Sequence, residues 1–224
     1  MTLQGLSASR DWARHQDNLI DPKMTKEKPL SRRDRNLANI RETAVPVAER
    51  IVLEEGVDAL NARRLAGDIS VSVGSLYNAF GDLDAVLRAV IEKSALMLSR
   101  TLHAAIEQPA LDERTRLITL GEAYLDFAIA EPQRWWLLFE YNSNNPPDDK
   151  AQEFQLGLLE MLVEAGGGDP KSDQHRQIFL LLWASVHGLV TLACRPTIIA
   201  LNPEVARTYI AELVDTGLKS FPIG

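Results

Sequence analysis

One cysteine, Cys194, is all that 224 residues contain, which excludes a disulfide within the chain and suits a reducing compartment. There are four histidines, and no His or Cys pair stands at metal-ligand spacing such as HExxH or CxxC. No glycine-rich loop runs into a lysine; Gly166, Gly167 and Gly168 lead into Asp169-Pro170, which reads as a turn. Cys194 and His187 share a helix face, but helical rise would hold them about 10 Å apart, too far for a nucleophile and its base. The residues therefore point away from catalysis: no catalytic residue, no metal and no cofactor is expected.

A basic excess is missing too. The formal net charge is −7, which argues against nucleic-acid affinity until it is divided along the chain. Residues 32–80 carry seven arginines against seven acids, residues 1–31 carry five bases against four acids, and the remainder must hold −8. The N-terminal part is thus neutral, with a local cluster at Arg32, Arg33 and Arg35, and local charge decides phosphate affinity. A signal peptide is not expected, because MTLQGLSASRDWARHQDN has no continuous apolar stretch. The longest charge-free run, Ile178 to Cys194, lies near the lower length limit of a membrane span. It contains His187, Gly188 and several small residues and reads better as a helix of a soluble bundle. No membrane and a cytoplasmic location are expected.

What is present is a stretch from Leu60 to Leu87, LNARRLAGDISVSVGSLYNAFGDLDAVL. Asn61 sits where an N-cap belongs, able to satisfy an orphan N–H of a first turn. Leu65 and Ile69 fall on one face, with Arg63, Arg64 and Asp68 elsewhere. Ala66 is small where a second helix must pass close. Ser72 is a second N-cap, and Val71 is placed to pack under the turn. The helix that follows, Val73 to Ala79, buries Leu76 and Phe80 and leaves Val73, Ser75, Tyr77 and Asn78 outward. Gly74 permits close approach at its N-terminus, where free N–H groups and the helix dipole suit a phosphate. Short outward side chains suit a helix that must sit deep in a major groove.

These residues carry a resemblance. Glu55-Gly56, Leu60, Leu65-Ala66, Val71-Ser72, Gly74, Leu76-Tyr77, Phe80, and Asp84 with Leu87 together resemble the DNA-binding domain of the tetracycline-repressor family of bacterial transcriptional regulators. The resemblance implies an all-α chain: a three-helix helix-turn-helix domain at 32–81 and a larger helical effector-binding and dimerisation domain at 82–224. Residues 1–31 read as a mobile N-terminal arm. Two positions depart from the family pattern. Ser70 stands where glycine is usual, so a positive φ there would cost some strain. Leu83 stands where many members place a phosphate-binding lysine.

Along the chain, a first helix is expected over Arg33–Glu55, with Val45, Ala48, Ile51 and Val52 inward and Gly56 as its stop. Pro46 predicts a kink, or a helix that starts near it. Asp82 caps a long helix, about 83–107. Further helices are expected at about 112–130, from Pro132, over Asp149–Ala165, from Ser172 to Ala193, and from Asn202-Pro203-Glu204 onward. No strand or internal repeat is evident.

The resemblance implies a ligand-responsive, sequence-specific regulator, in most members a repressor, that acts as a homodimer on a palindromic operator in double-stranded DNA. The last two helices, about 173–194 and 203–221, would pair with those of a second copy; the alternative is that both are core. Phosphates would meet the helix N-termini, Arg33, Asn61, Ser72 and Tyr77, and bases would meet Arg63, Val73, Ser75 and Asn78. The segment WASVHGL resembles a Trp-x-x-x-His-Gly pattern of one subgroup. It suggests that His187, Trp183, Tyr124, Trp136 and Phe139 line a cavity for a small-molecule effector; the alternative is that they are core. A competing reading of the whole chain is a helical ligand-binding or interaction protein with a degenerate helix-turn-helix.

Overall fold

The computed structural model describes residues 31–108, 111–141, 149–194 and 199–220. The arm expected at 1–31 lies outside them, apart from Ser31. Among the described residues there are nine α-helices and no strand. They are α1 (Arg32–Glu55), α2 (Ala62–Asp68), α3 (Val73–Phe80), α4 (Leu83–Ile106), α5 (Glu113–Ala130), α6 (Pro132–Phe139), α7 (Asp149–Ala165), α8 (Asp173–Cys194) and α9 (Pro203–Ser220), with one 3-10 turn at Val57–Ala59. The described residues fall into two compact units. One holds 31–96 and 136–141; the other holds 97–135 and the described residues beyond 142.

In the first unit α1 begins at a capping box. The Ser31 hydroxyl accepts from the Asp34 N–H at 3.1 Å, and Asp34 Oδ2 accepts in return from Ser31. The helix starts at Arg32 and continues through Pro46 to Glu55, so of the two outcomes expected the late start near the proline does not occur. The reason lies in which way the proline faces. Pro46 and Glu42 are exposed, so the carbonyl that loses its partner can be hydrated, while Ile40, Ala44, Ala48, Ile51 and Val52 bury the opposite stripe on both sides of it. Against that stripe pack Leu65 and Ala66 of α2, Leu76 and Ala79 of α3, and Val86, Leu87 and Val90 of α4, with Leu137 completing the core. Leu83 belongs to the edge of this apolar cluster.

In the second unit α9 lies against both α5 and α8, and α7 packs on α8. The α5–α9 approach is close: a Cβ built on Gly121 would stand 2.5 Å from Ile210 Cγ2. Ion pairs Arg114–Asp215 and Arg207–Asp126 flank that seam. The glycine triplet serves packing, not ligand binding. A Cβ at Gly166 would stand 2.2 Å from Phe179 Cζ, and Gly167 has φ +76. The α8 helix has mean hydropathy 1.7 and is long and apolar enough by length and composition to cross a membrane. Within the single chain it is only partly covered; Leu180, Leu181 and Leu192 are exposed.

Candidate nucleic-acid interface and aromatic site

The α2–turn–α3 segment is built by caps at all four of its helix ends. Asn61 Oδ1 accepts from the Arg64 N–H at 3.0 Å, starting α2. Ser72 Oγ accepts from the Ser75 N–H at 3.0 Å, starting α3, and lies 2.8 Å from Ser75 Oγ. Between them Ser70 adopts φ +57, the left-handed conformation for which the family uses glycine. The turn closes on two backbone bonds, Ser70 N–H to the Gly67 carbonyl at 3.0 Å and Val71 N–H to the Ala66 carbonyl at 2.9 Å. That is the double hydrogen bond of a Schellman motif, which satisfies carbonyls the helix end would otherwise leave orphaned. Serine therefore makes the turn, at some cost in strain. Gly81, φ +88, ends α3 with its N–H on the Tyr77 carbonyl at 2.7 Å.

The outward faces are now placed. Arg63, Tyr77 and Asn78 are exposed, and Arg63 and Asn78 carry no hydrogen bond or ion pair among the described residues. Val73 and Ser75 are half-buried; Val73 packs partly against the core, so it presents less to a groove than the sequence suggested. Arg33 is exposed in the first turn of α1, beside Arg32 and Arg35. Asn61 and Ser72 are already engaged as caps. Arg64 differs from its neighbour Arg63: it makes a bidentate pair with Glu55, holding that carboxyl below its usual range. At Gly74 a Cβ would meet only Ser72 Oγ, at an ordinary 3.8 Å. Nothing among the described residues demands glycine there.

One contributor was missed in the sequence. Arg41, on α1, donates its Nε–H to the Ala79 carbonyl in the last turn of α3 at 2.7 Å. A cation at a helix C-terminus complements the dipole and fixes α3 against α1. The residues are 38 apart in sequence, and no local pattern announces such a bond.

In the second unit three of the five aromatic-site candidates meet. Tyr124 and His187 hydrogen-bond, hydroxyl to Nδ1, at 2.9 Å. The His187 ring is stacked between Trp183, with centroids 5.1 Å apart, and Trp135, at 5.3 Å. Tyr124 meets Trp135 edge-on at 4.6 Å. Burial raises the Tyr124 phenol well above its usual range, and burial also lowers His187. Both shifts favour the neutral groups, a phenol O–H donating to an unprotonated Nδ1. Trp136 and Phe139 belong to the other unit, where Trp136 lies 5.6 Å from Tyr141. Trp135 takes the place that the sequence offered to Trp136. In a pair of adjacent tryptophans on a short helix buried on more than one side, periodicity does not choose between them.

Comparison with known proteins follows from this geometry. Residues 117–216 match the family described as the tetracyclin repressor-like C-terminal domain. No curated protein matches the chain. Among solved structures, a protein of unknown function from Rhodococcus sp. RHA1 is 26% identical with TM-score 0.66, over 81% of this chain and 95% of that one. A TetR-family transcriptional regulator from Streptomyces coelicolor is 21% identical with TM-score 0.58, over 85% and 99%. The multidrug binding protein EbrR, complexed with imidazole, is 19% identical with TM-score 0.60, over 85% and 96%. The latter two share the fold.

Proposed function

We propose that the chain, whose residues 117–216 match the tetracyclin repressor-like C-terminal domain, is a cytoplasmic, non-enzymatic regulator of that family, an effector-responsive repressor that reads a palindromic operator as a homodimer. In this reading residues 32–81 are the DNA-reading domain and 82–224 the effector and dimer domain.

The observation that carries the proposal is the outward face of α2–α3. Arg63 and Asn78 have side chains with no partner among the described residues, on a segment whose caps are complete. An unpaired arginine suits bidentate contact with guanine, worth ~1–3 kcal/mol of discrimination. The absent side chain at Gly74 adds support, since its room serves no contact among the described residues. Arg33, Ser72 and Tyr77 would contact the backbone, with Asn61 aiding through the α2 N-terminus. Leu83 lies in the core edge, so this chain relies on fewer lysine–phosphate contacts than many relatives.

The second copy would pack on α8 and α9. Leu181 is 60% exposed, and Val205 and Tyr209 on α9 are also open. Ala184 and Gly188, both exposed, allow another helix to come near. Two-fold symmetry then sets two recognition helices about one DNA turn apart. The Tyr124–His187–Trp183 group is the proposed effector-sensing core, and an effector favouring the non-binding conformation would deplete the DNA-bound population.

Selection of bound DNA from a random pool by the purified protein tests this. A palindrome should emerge. Retention of unrelated sequences alone, with steep salt dependence, would instead favour a degenerate helix-turn-helix.

A further inference from the structure

A cleft in the C-terminal unit holds opposite charges that do not pair with each other. It encloses about 220 Å³ where the end of α4, the start of α5 and the last turns of α7 converge. Arg116 stands on one wall and Glu164 on another. Neither side chain makes a hydrogen bond or a close ion pair with a described residue; Arg116 has the exposed Asp112 carboxylate in its neighbourhood. Its lining is mixed: Ile106 and Met161, which is 8% exposed, supply the apolar part. Gly157, one helical turn before Met161 on α7, leaves the cleft open; a Cβ there would meet nothing within 4 Å.

His103 adds a third polar group. Its Nδ1 lies 2.8 Å from the Ser99 carbonyl, so that nitrogen carries the proton and donates. Nε2 is then the ring nitrogen left for a ligand.

We propose that this cleft is a binding site for a small dipolar amino carboxylate, its carboxylate on Arg116, its ammonium on Glu164 and its alkyl stem over Ile106 and Met161. Size and charge both restrict the class. The volume is below the ~300–1,000 Å³ of pockets for drug-sized molecules, so the ligand is amino-acid-sized. A purely anionic ligand leaves Glu164 facing it, and a purely cationic one leaves Arg116; a dipolar one satisfies both walls. Arginine also suits planar carboxylates by its fork of donors. A link to regulation rests on the function proposed above: His103 and Ile106 are on α4, whose first half belongs to the DNA-binding unit.

The test is calorimetric titration of the full-length protein with β-alanine, 4-aminobutanoate, 5-aminopentanoate and 6-aminohexanoate. At least one should bind, with a clear optimum in chain length. Arg116→Gln should weaken it ten-fold or more, and Gly157→Leu, which adds bulk where a Cβ meets nothing within 4 Å, should abolish it with a melting temperature no lower than that of the wild type. If no member of the series binds, or if both variants bind as the wild type does, the site is wrong. Operator affinity measured in the same samples separates the two proposals. Operator binding without ligand binding removes only this site; ligand binding with unaltered operator affinity keeps the site and removes its regulatory role.

Discussion

Ser70 shows how one residue can depart from a family pattern and keep the structure that pattern serves. Its φ of +57 is uncomfortable for any residue with a Cβ, yet both turn hydrogen bonds form. Ser70→Gly should therefore stabilise the chain by about 0.5–1 kcal/mol, net of the entropy glycine adds to the unfolded state. Thermal denaturation should register a rise of roughly 1–3 °C for a chain of this size, with operator affinity unchanged. A fall in melting temperature would mean that the serine side chain contributes something the backbone geometry does not reveal.

His187 gives a second residue-scale expectation. Burial lowers its folded-state value below the ordinary 6.5. As pH falls through that window the unfolded chain takes up the proton first, so stability rises with pH there and is lost from about 6.5 downward. Urea unfolding at pH 7.0 and 5.5 should show that loss in the wild type, and His187→Gln should reduce the difference between the two pH values. An equal difference in both proteins would assign the acid sensitivity elsewhere. The carboxylates held low by arginine, Glu55 and Asp215 among them, titrate below this window.

At the scale of elements, most helices were legible because their ends are chemically marked. Asp82 accepts from the Ala85 N–H at 2.7 Å and Asp112 from the Thr115 N–H at 2.7 Å, at the starts the sequence predicts. Asp149–Ala165 has the predicted bounds because the glycine triplet ends it. Pro46 was misleading for a tertiary reason: which face a proline presents is known only once the buried stripe is known. Long-range hydrogen bonds were invisible for the same reason, and Arg41 is the plainest case. Arg41→Ala removes a charged donor from the end of α3 and should cost about 1 kcal/mol in unfolding experiments. Its effect on operator binding should be larger than on non-specific DNA, because the loss is one of helix placement. Equal losses on both DNAs would make Arg41 a simple phosphate contact.

At the scale of the whole molecule, apolar patterning does not separate a core helix from one covered by a second copy, since both are apolar. The open face of α8 favours the second copy. Leu181→Glu changes a side chain already 60% exposed in the protomer, so the fold should survive while the assembly does not. Sedimentation velocity should find a dimer for the wild type and a monomer for the variant, with the monomer losing operator affinity by an order of magnitude or more. A variant that remains dimeric would move the interface off α8. The aromatic site was only partly legible: Tyr124, Trp183 and His187 are brought together, while the neighbour that stacks on His187, Trp135, needed the three-dimensional packing of α6.

The claim on which the rest depends is that α2 and α3 read bases. It is tested most directly by titrating wild type and Arg63→Ala against a selected palindrome and against unrelated DNA, each at two salt concentrations. The account predicts a loss of ~1–3 kcal/mol on the palindrome, roughly five-fold to a hundred-fold in affinity, with little loss on unrelated DNA and a nearly unchanged salt slope. Equal weakening on both DNAs, with a shallower salt slope, would make Arg63 a backbone contact; no weakening on either would contradict base reading by this helix pair.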